Sequence, residues 1–262
     1  MLFDSHAHYN DPRFEAEYPG GAAQALDDAR AAGVMRILNA GTSVSASEAS
    51  LALCACFPGM VASVGLHPTD SLEVPDTDLM ATLDALRRLS SSSKAVAIGE
   101  IGLDYHWDPN GRERQKRIFD LQLSLAEEVR LPVIVHDREA HGDTWELVRL
   151  HPNVTGVFHS FSGSAEMARQ LAAAGWYISF SGPITYKNAR HLREAAAAVP
   201  PERILAETDA PYLPPVPHRG EINSSALLPC TVRAVADACG TSYEEMAART
   251  YKNACTLFAL QE

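Results

Sequence analysis

Six residues of types that bind divalent metal ions stand at or just after the ends of short apolar segments of this chain. They are four histidines and two carboxylates: His6, His8, Glu100, His136, His159 and Asp209. Imidazole nitrogens and carboxylate oxygens are common ligands of zinc, manganese and related cations. If the fold brings the ends of these segments together, the six side chains predict a metal centre.

The local setting of each residue bears on this interpretation. His6 and His8 are two residues apart, so on a strand both side chains face the same side and can reach one ion. Glu100 ends an apolar segment, and a buried carboxylate needs a metal ion, an arginine or a proton, because burying it unpaired is costly. Taken singly, His136 and His159 are also typical of core histidines, and Asp209 of a turn cap. Together, the six favour a metal site.

The size of the ligand set predicts two ions. One zinc ion usually takes four ligands, whereas this set offers six groups, and Glu100 can bridge. Such a set suits two divalent cations about 4 Å apart with a water molecule between them. Imidazole ligands favour zinc, manganese, nickel or iron over magnesium, and magnesium is kept as a candidate beside manganese and zinc. Two such cations against two carboxylates predict a net positive site that attracts a phosphodiester or polarises a carbonyl.

Short segments with β-type composition alternate with longer segments that have helical spacing. Strands are expected at Leu2–His6, Arg36–Ala40, Val61–Gly65, Ala95–Ile101, Val133–His136, Gly156–His159, Tyr177–Ser181 and Arg203–Glu207. Helices are expected at Ala22–Ala32, Ser45–Cys56, Leu79–Leu89, Gln115–Val129, Thr144–Leu150, Ala165–Ala174, Ala189–Ala198, Pro229–Cys239 and Tyr243–Leu260.

Eight strand–helix rounds predict an α/β protein with a (β/α)₈ TIM barrel, formed as a single domain by residues 1–262. The alternative is a doubly wound open sheet, which would require a Gly-rich phosphate loop after an early strand, and the sequence has none. In a barrel, the six candidate ligands would meet at the C-terminal ends of the strands, where barrel enzymes carry their active sites.

Composition and charge restrict the class of protein. Hydrophobic residues make up 46% of the chain and charged residues 21%, as in ordinary soluble proteins. No apolar run approaches the roughly 18 residues of a membrane helix, and no signal peptide is visible. The five cysteines form no CxxC pair, which favours free thiols in a reducing compartment. We therefore expect a cytoplasmic monomer without membrane association.

The net charge of −11 disfavours non-specific coating of nucleic acid, which needs a basic surface. It leaves room for a polyanionic substrate held locally, because bound divalent cations reverse the local field.

The ordered motifs resemble those of the TatD family of metal-dependent hydrolases, from Leu2 to about Leu260. The matching segments are Asp4–His8, Gly65–Pro68, Ala97–Tyr105, Pro132–Arg138, His159–Gly163 and Glu207–Leu213. The resemblance implies a TIM barrel, a divalent metal centre and hydrolysis of phosphodiester bonds in DNA, often as a 3′-to-5′ exonuclease. It also implies that the six residues identified above are the metal ligands.

Three positions depart from the family pattern. Tyr9 replaces an aliphatic residue or Phe, and Asp137 stands where Cys, Ser or Thr is common. After Gly220 the family usually continues with a basic residue and Asn-Glu-Pro, whereas this chain has the segment Glu221–Ser225. Because that segment is expected near the site, it bears on substrate preference.

Catalytic roles follow from the ligand set as a hypothesis. Glu100 would bridge the ions, and Asp209 would accept a proton from the water that they activate. Three further residues are expected to contact the substrate: His67, Arg138 and Trp107. His67 and Arg138 suit phosphate, and Trp107 suits stacking on a base. The alternatives are a turn-stabilising His67, an ion pair of Arg138 with Asp137 or Glu207, and packing of Trp107 beneath its loop.

Three functions compete. The first is a metal-dependent deoxyribonuclease acting on single-stranded DNA or 3′ ends. The second is an ester or amide hydrolase of the same barrel, such as an aminoacyl-tRNA deacylase or a small-molecule amidohydrolase. The third is a metal-dependent binding protein without activity, which the full ligand set disfavours. Amidohydrolases with a carbamylated lysine between two metals need a strand-end Lys, and Glu100 holds the comparable position here, which favours the nuclease.

Overall fold

Eight parallel strands form one sheet in the order of the chain. The computed structural model describes residues 1–108 and 110–261. The strands are β1 (Leu2–Ala7), β2 (Val34–Asn39), β3 (Met60–Val64), β4 (Ala95–Asp104), β5 (Val133–Arg138), β6 (Gly156–Phe158), β7 (Tyr177–Phe180) and β8 (Ile204–Ala206).

The sheet closes on itself beyond the end of β8. Ala7 and Ala210 form a parallel bridge. The amide of Asp209 donates to the carbonyl of His6 at 2.9 Å, and the amide of His8 donates to the carbonyl of Ala210 at 2.7 Å. These bonds join the first strand to the segment that follows the last. The predicted TIM barrel is confirmed.

Helices connect the strands. They are α1 (Arg13–Glu17), α2 (Gly21–Ala31), α3 (Val44–Leu53), α4 (Leu79–Leu89), α5 (Arg112–Val129), α6 (His141–Leu150), α7 (Ala165–Ala173), α8 (Arg190–Ala198), α9 (Leu228–Cys239) and α10 (Tyr243–Leu257). Ser43, Ser164 and Ser242 cap α3, α7 and α10 by accepting a backbone N–H three residues later. None of the helices in the described ranges combines the length and apolar character needed to cross a membrane.

The barrel interior is filled by side chains. One buried cluster takes at least one residue from every strand and joins them to the end of α10: Phe3, Leu38, Val61, Ala97, Ile134, Val157, Tyr177, Leu205, Tyr251 and Phe258. The rings of Phe3 and Phe258 are 5.9 Å apart. Because this interior is packed, chemistry is confined to the rim of the barrel.

Several predicted boundaries were wrong. Helix α3 ends at Leu53 rather than Cys56, while α5 and α6 begin at Arg112 and His141, three residues before the expected Gln115 and Thr144. Helix α1 was not expected, and α10 ends at Leu257 rather than Leu260, because Ala259 adopts a positive φ of 52°. Strand β4 continues three residues beyond the expected Ile101 and pairs Asp104 with Arg138 of β5. The extension depends on Gly102, whose φ is 144°, since a Cβ there would collide with the backbone oxygen of His136.

Candidate metal centre

The structure brings all six predicted ligands together at the C-terminal rim of the barrel. His6, Glu100 and His136 lie within β1, β4 and β5, while His8, His159 and Asp209 follow β1, β6 and β8 directly or by a few residues. His6 is fully buried, and Glu100 and His159 are 3% and 6% exposed. Parallel strands end at the same rim, which explains why residues more than 200 positions apart converge.

Four of these residues form a first group around one oxygen of Glu100. The Nε2 atoms of His6 and His8 lie 3.3 and 3.5 Å from Glu100 Oε2. The same two nitrogens are 3.0 Å apart, and each lies within 3.7 Å of Asp209 Oδ1. Two imidazole nitrogens and two carboxylate oxygens thus face one small volume.

A second group surrounds the other oxygen of Glu100. His136 Nδ1 lies 2.7 Å from Glu100 Oε1, and His159 Nε2 lies 2.9 Å from it. The two histidine nitrogens are 3.2 Å apart. Glu100 therefore presents one oxygen to each group, as a carboxylate that bridges two cations does.

The donor set fits divalent metal ions. Neutral imidazole nitrogens and ionised carboxylates are the forms that bind such ions. Among the described residues, the side chains paired with Glu100 and Asp209 are histidines. The combinations His6–His8–Glu100 and His6–His159–Asp209 each place their ligand atoms within 4.8 Å of one another. The residues therefore suit a metal centre, which agrees with the prediction.

Attraction to neighbouring histidines outweighs the effect of burial on the pKa values of Glu100 and Asp209. Burial opposes ionisation of Glu100, but the neighbouring His159, His67 and His6 hold the pKa of its carboxyl well below the usual range. Burial also opposes ionisation of Asp209, yet the hydrogen bond from His8 lowers its pKa. Both carboxylates are thus charged at neutral pH and available as ligands.

Three carboxylates behind the cluster were not identified from the sequence as part of the site. Asp104 Oδ2 lies 3.1 Å from His136 Nε2, and Glu207 Oε1 lies 3.3 Å from His159 Nδ1. Partners such as Asp104 and Glu207 fix the orientation of ligating histidines. Asp4, on β1, instead accepts hydrogen bonds from Thr208, the residue before Asp209. A sequence signal existed for Asp104, which is four residues from Glu100 and so on the same side of β4.

Asp4 braces the segment that carries Asp209. It accepts hydrogen bonds from the amide and the hydroxyl of Thr208, at 2.9 and 2.5 Å, and from the hydroxyl of Ser225 at 2.6 Å. Asn223 donates to the carbonyl of Thr208 at 2.8 Å. The atypical Glu221–Ser225 segment therefore places its buried end behind Asp209, as a support for the rim.

The predicted substrate contacts have different surroundings. The Nδ1 atom of His67 accepts from the amide of Thr69 at 3.2 Å, so its Nε2 carries the proton and points at Glu100 Oε1, 3.3 Å away. Arg138 is exposed and lies 5.6 Å from the centre of the Trp107 ring. Trp107 is 67% exposed, so packing beneath its loop is excluded.

The ion pairs of Arg138 with Asp137 or Glu207, which were the alternative to substrate binding, are not found among the described residues. Asp137 contacts His141 Nδ1 at 2.8 Å instead, and Glu207 accepts from the amide of Ser160 at 2.6 Å. The guanidinium and the Trp107 ring are left facing the cleft, as substrate-binding groups would be.

An open cleft of about 590 Å³ leads to the cluster. Five carboxylates line it: Asp11, Asp70, Glu100, Asp104 and Asp209. Among the described residues, Arg138 is the only lysine or arginine in the lining of the cleft. Two divalent cations together with Arg138 would just balance these carboxylates. The expectation of a net positive site, which counted two carboxylates only, stays a prediction that depends on the number of ions bound.

Comparison with known proteins agrees with this geometry. The family model described as "TatD related DNase" matches residues 3–259. The chain is 36% identical over 262 residues to the uncharacterized metal-dependent hydrolase YabD of Bacillus subtilis, with 99% of this chain and 100% of the relative covered. It is 37% identical over 261 residues to the uncharacterized metal-dependent hydrolase YcfH of Escherichia coli, covering 98% and 96%.

A solved structure supports the same family relationship. The crystal structure of YjjV, a TatD homologue from Escherichia coli K12, superposes with a TM-score of 0.91 at 31% identity, covering 99% of this chain and 98% of that one. The family model, the relatives and the shared fold each span nearly the whole chain. The protein belongs to the TatD family of metal-dependent hydrolases.

Proposed function

We propose that this hydrolase cleaves phosphodiester bonds in DNA, as a 3′-to-5′ exodeoxyribonuclease that acts on single strands or 3′ ends. The observation that carries the proposal is the division of Glu100 between two ligand groups, with Oε2 facing His6 and His8 and Oε1 facing His136 and His159. A centre of two ions suits displacement at phosphorus, in which both the attacking and the leaving oxygen need stabilisation.

In this proposal the six residues share two divalent ions. His6, His8 and Asp209 serve one site, His136 and His159 serve the other, and Glu100 serves both. When bound, such ions lower the pKa of a water molecule toward neutrality and offset charge on phosphoryl oxygens. Magnesium, manganese and zinc are the candidates, with the histidine content favouring manganese or zinc.

Asp209 is the proposed general base. Its carboxylate lies 3.4 Å from His8 Nε2 and lines the open cleft as well as the cluster. Because its pKa is lowered, it is ionised at neutral pH and can accept a proton from the attacking water. The water oxygen then bonds to phosphorus and the P–O3′ bond breaks. The terminal nucleotide leaves as a 5′-monophosphate, and the 3′ oxygen of the shortened strand takes up a proton.

Substrate contacts are proposed for the exposed rim. Arg138 supplies a cation for a phosphate, and Trp107 offers a face on which a base can stack. His67 donates to Glu100 and so orients the bridging carboxylate, besides lining the cleft. A cleft with one arginine and many carboxylates suits a short strand end drawn in by metal ions, because long duplexes need an extended basic surface.

The test is hydrolysis of a 5′-labelled single-stranded oligonucleotide by chelated and by Mg²⁺- or Mn²⁺-loaded protein. We expect a ladder of stepwise shortening that requires metal and falls about 100-fold or more in Asp209→Asn, which loses the base. Asp120→Asn is the matched control, because Asp120 also pairs with a histidine, His151 at 2.9 Å, but on the outside of the barrel. Intact DNA with metal bound would refute the nuclease and turn attention to esters and amides.

A further inference from the structure

A second cavity, of about 390 Å³, opens beside the metal cluster on the side of β6, β7 and β8. We call it the side pocket, and the part of its lining used here is Phe161, Phe180, Ser181, Ile184, Ala189 and Leu192. None of these residues belongs to the metal site or to the substrate contacts predicted from the sequence. This apolar part of the lining therefore has no role in the chemistry described above, whereas His136, His159 and Asp209 complete the wall of the side pocket beside the cluster.

The walls of the side pocket are apolar and rigidly placed. Phe180 and Ile184 are each 1% exposed, and Phe161 is 5% exposed. The rings of Phe161 and Phe180 meet edge to face, with centroids 6.1 Å apart. Leu192 packs at the same cavity from α8. Such walls favour a flat apolar group over a phosphate or a sugar.

The mouth of the side pocket is polar. Asn188 and His191 are exposed there, and neither side chain has a hydrogen-bond partner among residues 1–108 and 110–261. Tyr186 lies beside them, with the guanidinium of Arg219 4.3 Å from its ring centre. A hydrocarbon chain would leave these donors and acceptors unused. A ligand with an apolar face and a hydrogen-bonding edge would use them.

The side pocket and the open cleft meet at the metal cluster. His136, His159 and Asp209 line both cavities, together with Arg138. A ligand can therefore place a phosphate at the cluster while a group attached to that phosphate enters the side pocket. The rest of the ligand would leave through the open cleft, past Trp107.

We infer that the side pocket holds the nucleobase of the terminal nucleotide while its 5′ phosphate lies at the metal cluster. This inference rests on the proposed phosphodiesterase function and adds the subsite that selects the end of the strand. A base presents an apolar face to Phe161, Phe180 and Ile184, and a polar edge to Asn188 and His191. One buried base position beside the reacting phosphate accounts for removal of one nucleotide at a time.

The test uses two chromogenic diesters with the same leaving group. One is the p-nitrophenyl ester of thymidine 5′-phosphate, which carries a base, and the other is methyl p-nitrophenyl phosphate, which does not. Metal-loaded wild type should show kcat/KM about tenfold or more higher for the thymidine ester. Ala189→Leu, which adds bulk at the pocket wall, should remove most of this preference and change hydrolysis of the methyl ester by less than about twofold.

Ala247→Leu is the matched control. Ala247 is also a buried alanine and lies on α10, beside a cavity of about 380 Å³ at the N-terminal end of β1. It should behave as wild type toward both esters. Equal kcat/KM for the two esters in wild type, or an equal loss for both in Ala189→Leu, would overturn the side-pocket inference while phosphodiester hydrolysis stands. Hydrolysis of neither ester would refute the proposed function and the inference with it.

A second measurement needs no variant. Thymidine 5′-phosphate and 2-deoxyribose 5-phosphate both carry the phosphate, and only the first carries a base. As competitive inhibitors of methyl p-nitrophenyl phosphate hydrolysis, they should differ about tenfold in inhibition constant, with the thymidine compound tighter. Equal inhibition constants would contradict a base in the side pocket.

Discussion

At the scale of residues, the centre depends on how Glu100 is held. Its two oxygens lie within 3.5 Å of five histidine nitrogens, from His6, His8, His67, His136 and His159. These histidines come from four segments of the chain, since His6 and His8 share the end of β1, and the Nε2 atom of His67 donates a hydrogen bond to the carboxylate. The positions of both oxygens of Glu100 are therefore fixed from several strands at once.

Asp104 should control metal affinity through His136. In the wild type, Asp104 Oδ1 accepts from the backbone N–H groups of His106 and Trp107 at 2.9 and 3.0 Å, and Oδ2 faces His136 Nε2. The side chain of Asp104→Asn keeps an oxygen for the two backbone groups but loses the negative charge that faces His136. We expect Mn²⁺ affinity to fall about 10–100-fold in a calorimetric titration. The control is Asp120→Asn, whose histidine pair lies on the outer helices. Equal affinity in Asp104→Asn and wild type would show that this carboxylate does not orient the ligand.

At the scale of elements, the rim is built from strand ends and one supporting segment. The approach of β3 to β4 needs glycine, since a Cβ on Gly65 would lie 2.6 Å from the carbonyl carbon of Gly99, next to Glu100. Behind β8, Asp4 links β1 to Thr208 and Ser225. Asp209 itself has a φ of 58°, so the segment needs this support to hold its carboxylate.

Loss of one hydroxyl tests that support. Ser225→Ala removes the bond to Asp4 Oδ2 and leaves the remaining bonds of Asp4 in place. We expect the free energy of unfolding, from urea denaturation in chelator, to fall by about 1–2 kcal/mol. Ser63→Ala is the control, because its hydroxyl is equally buried but has no partner in the described part of the chain. A larger loss in the control than in Ser225→Ala would contradict the bracing role.

At the scale of the whole molecule, the negative charge of the protein opposes the binding of DNA that is proposed for it. The chain carries a net charge of −11, and five carboxylates line the cleft. A DNA end is repelled from such a cleft unless cations are present, so metal ions are proposed to act in binding as well as in chemistry.

DNA binding should therefore require metal. Fluorescence anisotropy with an oligonucleotide whose 3′-terminal linkages are phosphorothioates, which slows cleavage, would report affinity with and without chelator. We expect Mn²⁺ to tighten binding about tenfold or more, because it replaces repulsion by attraction over a few ångströms. The same affinity in chelator would mean that the carboxylates of the cleft do not face the strand.

The barrel and the convergence of the six candidate ligands could be predicted from the sequence, because both follow from local patterns. Strand ends can be read from apolar segments, and parallel strands place their ends on one rim. The roles of Asp104 and Asp4 could not be predicted, since their partners depend on how β4 pairs with β5 and how β1 meets β8. The further carboxylates of the cleft could not be predicted for the same reason, because Asp11 and Asp70 reach it only through the folded loops.

The central claim is that Glu100 joins two metal sites, and anomalous diffraction from crystals of the Mn²⁺-loaded protein tests it most directly. We predict two anomalous peaks, one beside His6 and His8 and one beside His136 and His159, each within bonding distance of a different oxygen of Glu100. A single peak bound by both groups, or peaks that do not contact Glu100, would contradict the claim.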